Sequence, residues 1–167
     1  MTRSPVVSVS DLPRQSFGNG GRFGAEFARI GPVVGMQQLG AMYTVVEPGM
    51  RAFPFHRHHI IEEAMVILEG EGEYRYGETV YPVKPGDVIA APAGAQEAAH
   101  QLINSGDTTL KYICFSTQQK TDVVEYPDSG KVGAITWAEE EDTEGDGVLF
   151  RHRAYQSDPV DYWEGEE

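Results

Sequence analysis

Three of the five histidines in this chain stand within four positions, His56-Arg57-His58-His59, and an acidic pair, Glu62-Glu63, follows at once. Imidazole nitrogen and carboxylate oxygen are the donors that hold divalent transition ions. His56 and His58 are two apart, so on an extended strand both rings project to the same side. Glu63 opens the apolar run Ala64-Met65-Val66-Ile67-Leu68. A carboxylate at the mouth of a hydrophobic strand is costly unless it is paired or bound to a cation. Two imidazoles and one carboxylate make a partial metal shell, which needs a fourth donor from elsewhere in the chain.

The elements that must position these residues are short strands. Met36 to Val46 is strand-like and ends at the turn Glu47-Pro48-Gly49. The histidine segment and the run from Glu63 to Leu68 follow. The second of these is apolar on both faces, which predicts burial on both sides, between two sheets or under a neighbouring subunit. Glu73 to Tyr76 and Thr79 to Val83 flank Gly77-Glu78 as a hairpin. Val88 to Ala91, His100 to Ile103 and Leu110 to Phe115 complete the series, each run closed by Gly, Pro or Asn turns. Strands of four to six residues at short intervals predict an all-β barrel or sandwich.

Outside that series the signals are weaker. Residues 1–40 mix Gly, Pro and Phe, and read as an N-terminal arm that packs on the barrel or on a partner subunit. Paired glycines at its centre oppose a helix. Residues 41–116 form the expected barrel core, and 117–167 a C-terminal extension. Within the extension, Glu139 to Gly147 carries six acids and reads as a solvated loop. Phe150 to Tyr155 is one further strand candidate bearing His152, expected to be structural or exposed. Tyr162-Trp163 is apolar enough to dock back on the domain.

Composition narrows the classes of function. A length of 167 residues suits one domain with a real core. A formal net charge of −13 opposes nucleic acid and anionic membranes as partners. The single Cys114 closes no intrachain disulfide and reads as a small buried side chain. The N-terminal segment lacks a signal-peptide core and no window reaches transmembrane length, so a cytoplasmic location is expected.

The spacing of the motifs resembles the cupin superfamily, and in particular small single-domain bacterial cupins. The first cupin motif places Gly, His-x-His, Glu and Gly in series. Gly49, His56-Arg57-His58, Glu63 and Gly70 reproduce it, with one extra residue between Gly49 and His56. The six residues between Glu63 and Gly70 select Glu63 over Glu62. The second motif runs Gly, five residues, Pro-x-Gly, two residues, His, three residues, Asn. Gly86 and Pro92-Ala93-Gly94 match, but Glu97 stands where the histidine is expected. Two registers follow. Either Glu97 is the fourth donor, or the turn carries a three-residue insertion and His100 is. His100 is preferred, because its spacing to Asn104 is intact and a turn absorbs an insertion more easily than a strand.

The resemblance implies a double-stranded β-helix, a jelly-roll barrel with N- and C-terminal extensions. It also implies a homodimer and one divalent transition metal held by His56, His58, Glu63 and His100. Mixed N and O donors suit Fe, Mn, Ni, Zn or Cu. The expected function is a metalloenzyme of isomerase, lyase or dioxygenase type. Its substrate would be a small polar molecule such as a sugar, a sugar phosphate or a hydroxy or keto acid. The alternatives are a non-catalytic module that binds or senses a small ligand, and a barrel stapled by a structural metal. Tyr74, Tyr76 and Tyr112 are expected in the core, and His59 and Glu62 at the surface. Arg51, Arg57, Arg75 and Lys111 are the basic side chains near the motifs.

Overall fold

The computed structural model describes residues 4–138 and 147–166, so the acidic loop from Glu139 lies almost wholly outside the described residues. The described residues are mostly β-structure, with one α-helical turn, Gly31–Val34, and short 3-10 turns at Val9–Asp11, Gln96–Ala98 and Pro127–Ser129. The largest sheet is built from β1 (Gln15–Gly18), β2 (Gly24–Arg29), β3 (Leu39–Val46), β5 (Glu63–Glu69), β8 (Val88–Ala91) and β10 (Leu110–Thr117). Its spatial order is β1-β2-β3-β10-β5-β8. Facing it is a three-stranded sheet of β7 (Thr79–Val83), β6 (Gly72–Tyr76) and β9 (His100–Ile103). A third sheet joins β13 (Val148–Tyr155), β12 (Lys131–Trp137), β11 (Thr121–Tyr126) and the two-residue β4 (Arg57–His58). The adjacency of β3, β10, β5 and β8, all antiparallel, is that of a double-stranded β-helix. The jelly roll is made of separate sheets and is not one continuously bonded barrel.

The main core lies between the first two sheets. Met65 and Ile67 of β5, Leu110, Tyr112 and Cys114 of β10, Tyr74 of β6 and Leu102 of β9 fill it. These residues alternate along their strands, and the intervening ones face the opposite side. On that outer side a second cluster forms, in which Leu12, Ala28 and Ile30 pack on Ala41, Tyr43 and Val45 of β3. The N-terminal segment therefore covers the outer face at the β2–β3 end. At the β5–β8 end no described residue covers it, and Leu68 and Val88 are 39 % and 74 % exposed. The expectation that the run from Ala64 to Leu68 is buried on both faces is thus corrected for the single chain. The covering cluster reaches Ile113 and Phe115 of β10, the strand next to β5, and goes no further.

Two further expectations need revision. Tyr162 and Trp163 do not dock back: they are 82 % and 71 % exposed and pack edge-to-face on each other. The described part of the extension after Ser116 holds three strands where the residue pattern predicts one, and its β11 hydrogen-bonds to the histidine segment. Gly70 shows why the motif demands glycine at the end of β5. Its φ of +77° is left-handed, and a Cβ there would stand 2.4 Å from the Thr109 carbonyl oxygen.

Candidate metal centre

Four elements deliver the donor side chains to one end of the inter-sheet space. His56 and His100 face each other as a doubly bonded backbone pair: His56 N–H donates to His100 O at 3.1 Å, and His100 N–H to His56 O at 2.7 Å. Their ring centroids are consequently 4.6 Å apart. His58, two residues on, sits beside Val124 of β11 with its ring 5.0 Å from that of His56. Glu63 is the first residue of β5 on the inward face shared with Met65 and Ile67, so its carboxylate points into the same space.

The donor atoms converge. Glu63 Oε2 lies 3.2 Å from His100 Nε2, 3.6 Å from His58 Nε2 and 4.0 Å from His56 Nε2. Two donors bound at about 2.1 Å to one ion stand roughly 3 to 4 Å apart, so this spacing suits a shared cation. His56, His58 and Glu63 offer atoms that all lie within 4.8 Å of one another. His100 is outside that mutual set, with its ring 6.3 Å from that of His58, and joins it through Glu63. Glu97 is elsewhere, exposed on a 3-10 turn, Gln96–Ala98, that occupies the expected insertion.

Each imidazole is oriented through its other nitrogen. His56 Nδ1 bonds the Pro54 carbonyl at 2.7 Å, and His100 Nδ1 the Ala98 carbonyl at 3.1 Å. Carbonyls only accept, so Nδ1 carries the hydrogen in both rings. His58 Nδ1 bonds Asp122 Oδ2 at 2.5 Å, and the other oxygen of Asp122 accepts from Ile60 N–H at 3.1 Å. A carboxylate holding the far side of a histidine fixes its tautomer and raises its basicity. Asp122 is fully buried on β11 and is a candidate orienting residue that the motif spacing does not reveal. The one signal for it is an acid inside the otherwise strand-like Thr121-Asp122-Val123-Val124.

The charges reflect the same contacts. Burial pushes the pKa of His56 down to about 4, and the neighbouring His100 adds to the effect. Burial alone would raise Glu63, but the hydrogen bond from His100 and the surrounding imidazoles outweigh it and hold the carboxyl at about 2. For His58, burial lowers the pKa, whereas Asp122 and Glu63 raise it and prevail. The cluster therefore holds an anionic oxygen against three imidazole nitrogens, a donor set that binds a cation as those nitrogens give up their protons. Cys114 is buried as expected, its thiol pushed well up by burial and by Glu63, whose Oε1 it approaches at 3.8 Å.

A cavity of about 240 Å³ opens onto the cluster. Its walls are mostly apolar (Met42, Met65, Leu102, Val124), with Gln101 and Tyr126 as polar contributors. Tyr74 and Tyr112 are core residues, and Tyr112 also reaches the cavity. His59 and Arg57 both pair with Glu125 at 2.7 Å, Glu62 is exposed, and Arg75 pairs with Asp128 while packing on the Phe55 ring. Asn104, the last residue of the second motif, is structural. It is fully buried and donates to the Val46 and Thr108 carbonyls.

Residues 42–116 match the family model described as Cupin domain. Among solved structures, the chain is similar to a proposed sugar phosphate isomerase of Acidithiobacillus ferrooxidans. The two are 25 % identical with a TM-score of 0.76, over 95 % of this chain and 96 % of that one. A cupin-superfamily sugar phosphate isomerase of Silicibacter pomeroyi aligns over 95 % of this chain and 98 % of its own, at 22 % identity and TM-score 0.75. Both alignments take in the segments flanking the cupin core. An uncharacterised protein of Methanocaldococcus jannaschii is 32 % identical over 74 residues, 42 % of this chain, and the match spans only 57 % of that relative. Among the described residues no helix is long and apolar enough to cross a membrane.

Proposed function

Starting from a chain built around a cupin domain, we propose a metal-dependent enzyme that isomerises a small polar molecule of the sugar or sugar phosphate class. The observation that carries this reading is the convergence of His56, His58, His100 and Glu63 at the end of an otherwise apolar cavity. The likeness to the Acidithiobacillus ferrooxidans protein over nearly the whole chain favours isomerase chemistry. Three imidazoles and one carboxylate fit a divalent transition ion and leave positions for a substrate oxygen. Held there, such an ion would polarise a carbonyl or hydroxyl oxygen.

The chain's own groups do the rest. Pro54 and Ala98 carbonyls and the Asp122 carboxylate hold the three rings so that Nε2 faces Glu63. Met65, Leu102 and Val124 give the cavity apolar walls, so a substrate that displaces its water would strengthen every charge interaction inside it. Gln101 and Tyr126 are placed to orient hydroxyl groups, Gln101 being anchored through its Nε2 to the Phe53 carbonyl at 2.8 Å. The setting of the cluster also argues against a stapling role. Structural metal sites are usually sealed and cysteine-rich, whereas this one faces a cavity.

The test is metal analysis of protein purified without chelator, then assay of aldose–ketose pairs, free and phosphorylated, for isomerisation and for hydrogen exchange with solvent deuterium. Near-stoichiometric metal and turnover abolished by EDTA are expected. Ligand-induced stabilisation without turnover on that panel would make the protein a binding or sensing module instead.

A further inference from the structure

A second cavity of about 240 Å³ lies on the other side of the cluster, toward the C-terminal sheet. It shares His58, Glu63, Val124 and Tyr126 with the first cavity, so the two are chambers of one cleft that meet at the donor cluster. Its far wall is β13, which contributes Arg151, His152 and Arg153. In register, His58 pairs with Val124, Val124 with Gly133, and Gly133 with Arg153. Directly paired residues project from the same face of a sheet. Arg153 therefore stands in one row with His58, across a floor made of valine and glycine. The adjacent row runs Asp122, Ile135, Arg151.

Gly133 is where the arginine fits. A Cβ at Gly133 would stand 3.1 Å from Arg153 Cγ and 3.7 Å from its Nε. The side chain thus lies over the missing one, reaching from β13 onto β12 while remaining exposed. Among the described residues Arg153 makes no hydrogen bond or ion pair. In a protein of net charge −13, a guanidinium left without an acid at the end of a cleft is conspicuous. The three strand spacings from β4 to β13 amount to about 14 Å. Once the arginine stem is subtracted, the remainder suits a molecule of a few carbons.

We propose that Arg153 forms an oxyanion-binding subsite that takes the phosphoryl or carboxylate end of the substrate while its other end meets the metal cluster. Guanidinium matches such groups with two parallel hydrogen bonds, which a lysine cannot copy. The inference deepens the reading given above and rests on it for what occupies the other end.

Inorganic phosphate and acetate serve as probes, titrated by NMR and by thermal shift into the protein as purified and after EDTA treatment. At least one probe is expected to bind saturably to wild type, and the preferred one identifies the group. Arg153→Ala should weaken it at least fivefold. So should Gly133→Val, which keeps the arginine but fills the space beneath it. Arg153→Lys should recover binding only in part. Arg14→Ala, which removes an arginine paired with Glu26 on another surface, should leave it unchanged. A loss below fivefold in both Arg153→Ala and Gly133→Val, or no saturable binding to wild type, would overturn the subsite. Arg153-dependent binding in a protein that takes up no divalent metal and turns over none of the aldose–ketose panel would support the subsite while refuting the metalloenzyme, so the two failures are separable.

Discussion

Exchange of Asp122 for asparagine tests how the cluster is held. The carboxylate is fully buried and takes two donors, His58 Nδ1 at 2.5 Å and Ile60 N–H at 3.1 Å. Asparagine keeps the shape but offers one acceptor oxygen, so one donor is left facing an amide NH₂. An unsatisfied buried donor costs about 1–3 kcal/mol. If His58 loses its partner, the ring is no longer held with Nε2 toward Glu63, and that cost falls on metal binding. The resulting loss in affinity is about 10- to 100-fold, the range seen when such outer partners are removed. Competition with a chromophoric chelator, using zinc or manganese, reads it directly. A second readout needs no metal: NMR titration should show the pKa of His58 dropping in Asp122→Asn, because Asp122 is a principal group raising it. Metal affinity within threefold of wild type in a folded variant, together with an unmoved His58 titration, would refute the reasoning.

Three other outcomes follow from the same geometry. His100→Ala should lose most bound metal and Glu97→Ala should keep it, because His100 Nε2 contacts Glu63 whereas Glu97 is exposed on its turn; metal content of the purified variants decides. The metal-free protein should lose up to about 3 kcal/mol of stability as pH falls from 6.5 to about 4, since the unfolded chain protonates His56 in that window and the folded chain does not. Glu63 extends the loss from 4.5 toward about 2, while His58, whose pKa is raised, contributes stability below 6.5 that fades as pH rises; thermal melts of wild type and His56→Ala, in which the first slope should flatten, are the check. Asn104→Ala removes two donated bonds and the acceptor for Gly106 N–H from a fully buried site, and should cost about 2–4 kcal/mol in denaturant unfolding while leaving metal affinity unchanged.

Much of the site is legible in the order of residues alone, for a local reason. His56 and His58 share a side by strand parity, and Glu63 starts an alternation whose inward members, Met65 and Ile67, are core. Strands, turns and the demand for glycine at Gly70 are likewise nearest-neighbour properties of backbone and side chain. Partners brought in by pairing over a long distance leave no such trace. Asp122 lies 64 residues from His58, and no periodicity links them. Arg153 reaches the cleft only because β11 and β12 set it in register with His58. Three of the basic groups close to the motifs along the chain, Arg57, Arg75 and Lys111, are instead paired with Glu125, Asp128 and Glu69.

The open outer face of β5 has the same origin. Its apolar pattern says that the strand can be covered on both sides, but the reach of the N-terminal segment decides which part of the sheet this chain covers itself. The amino-acid sequence by itself determined the strands, their inward faces and the donor types, because those depend on residues a few positions apart. The tertiary structure alone decided which acid orients His58, where Glu97 ends up and what lines the far chamber, because each depends on strands that meet only after the sheets have formed.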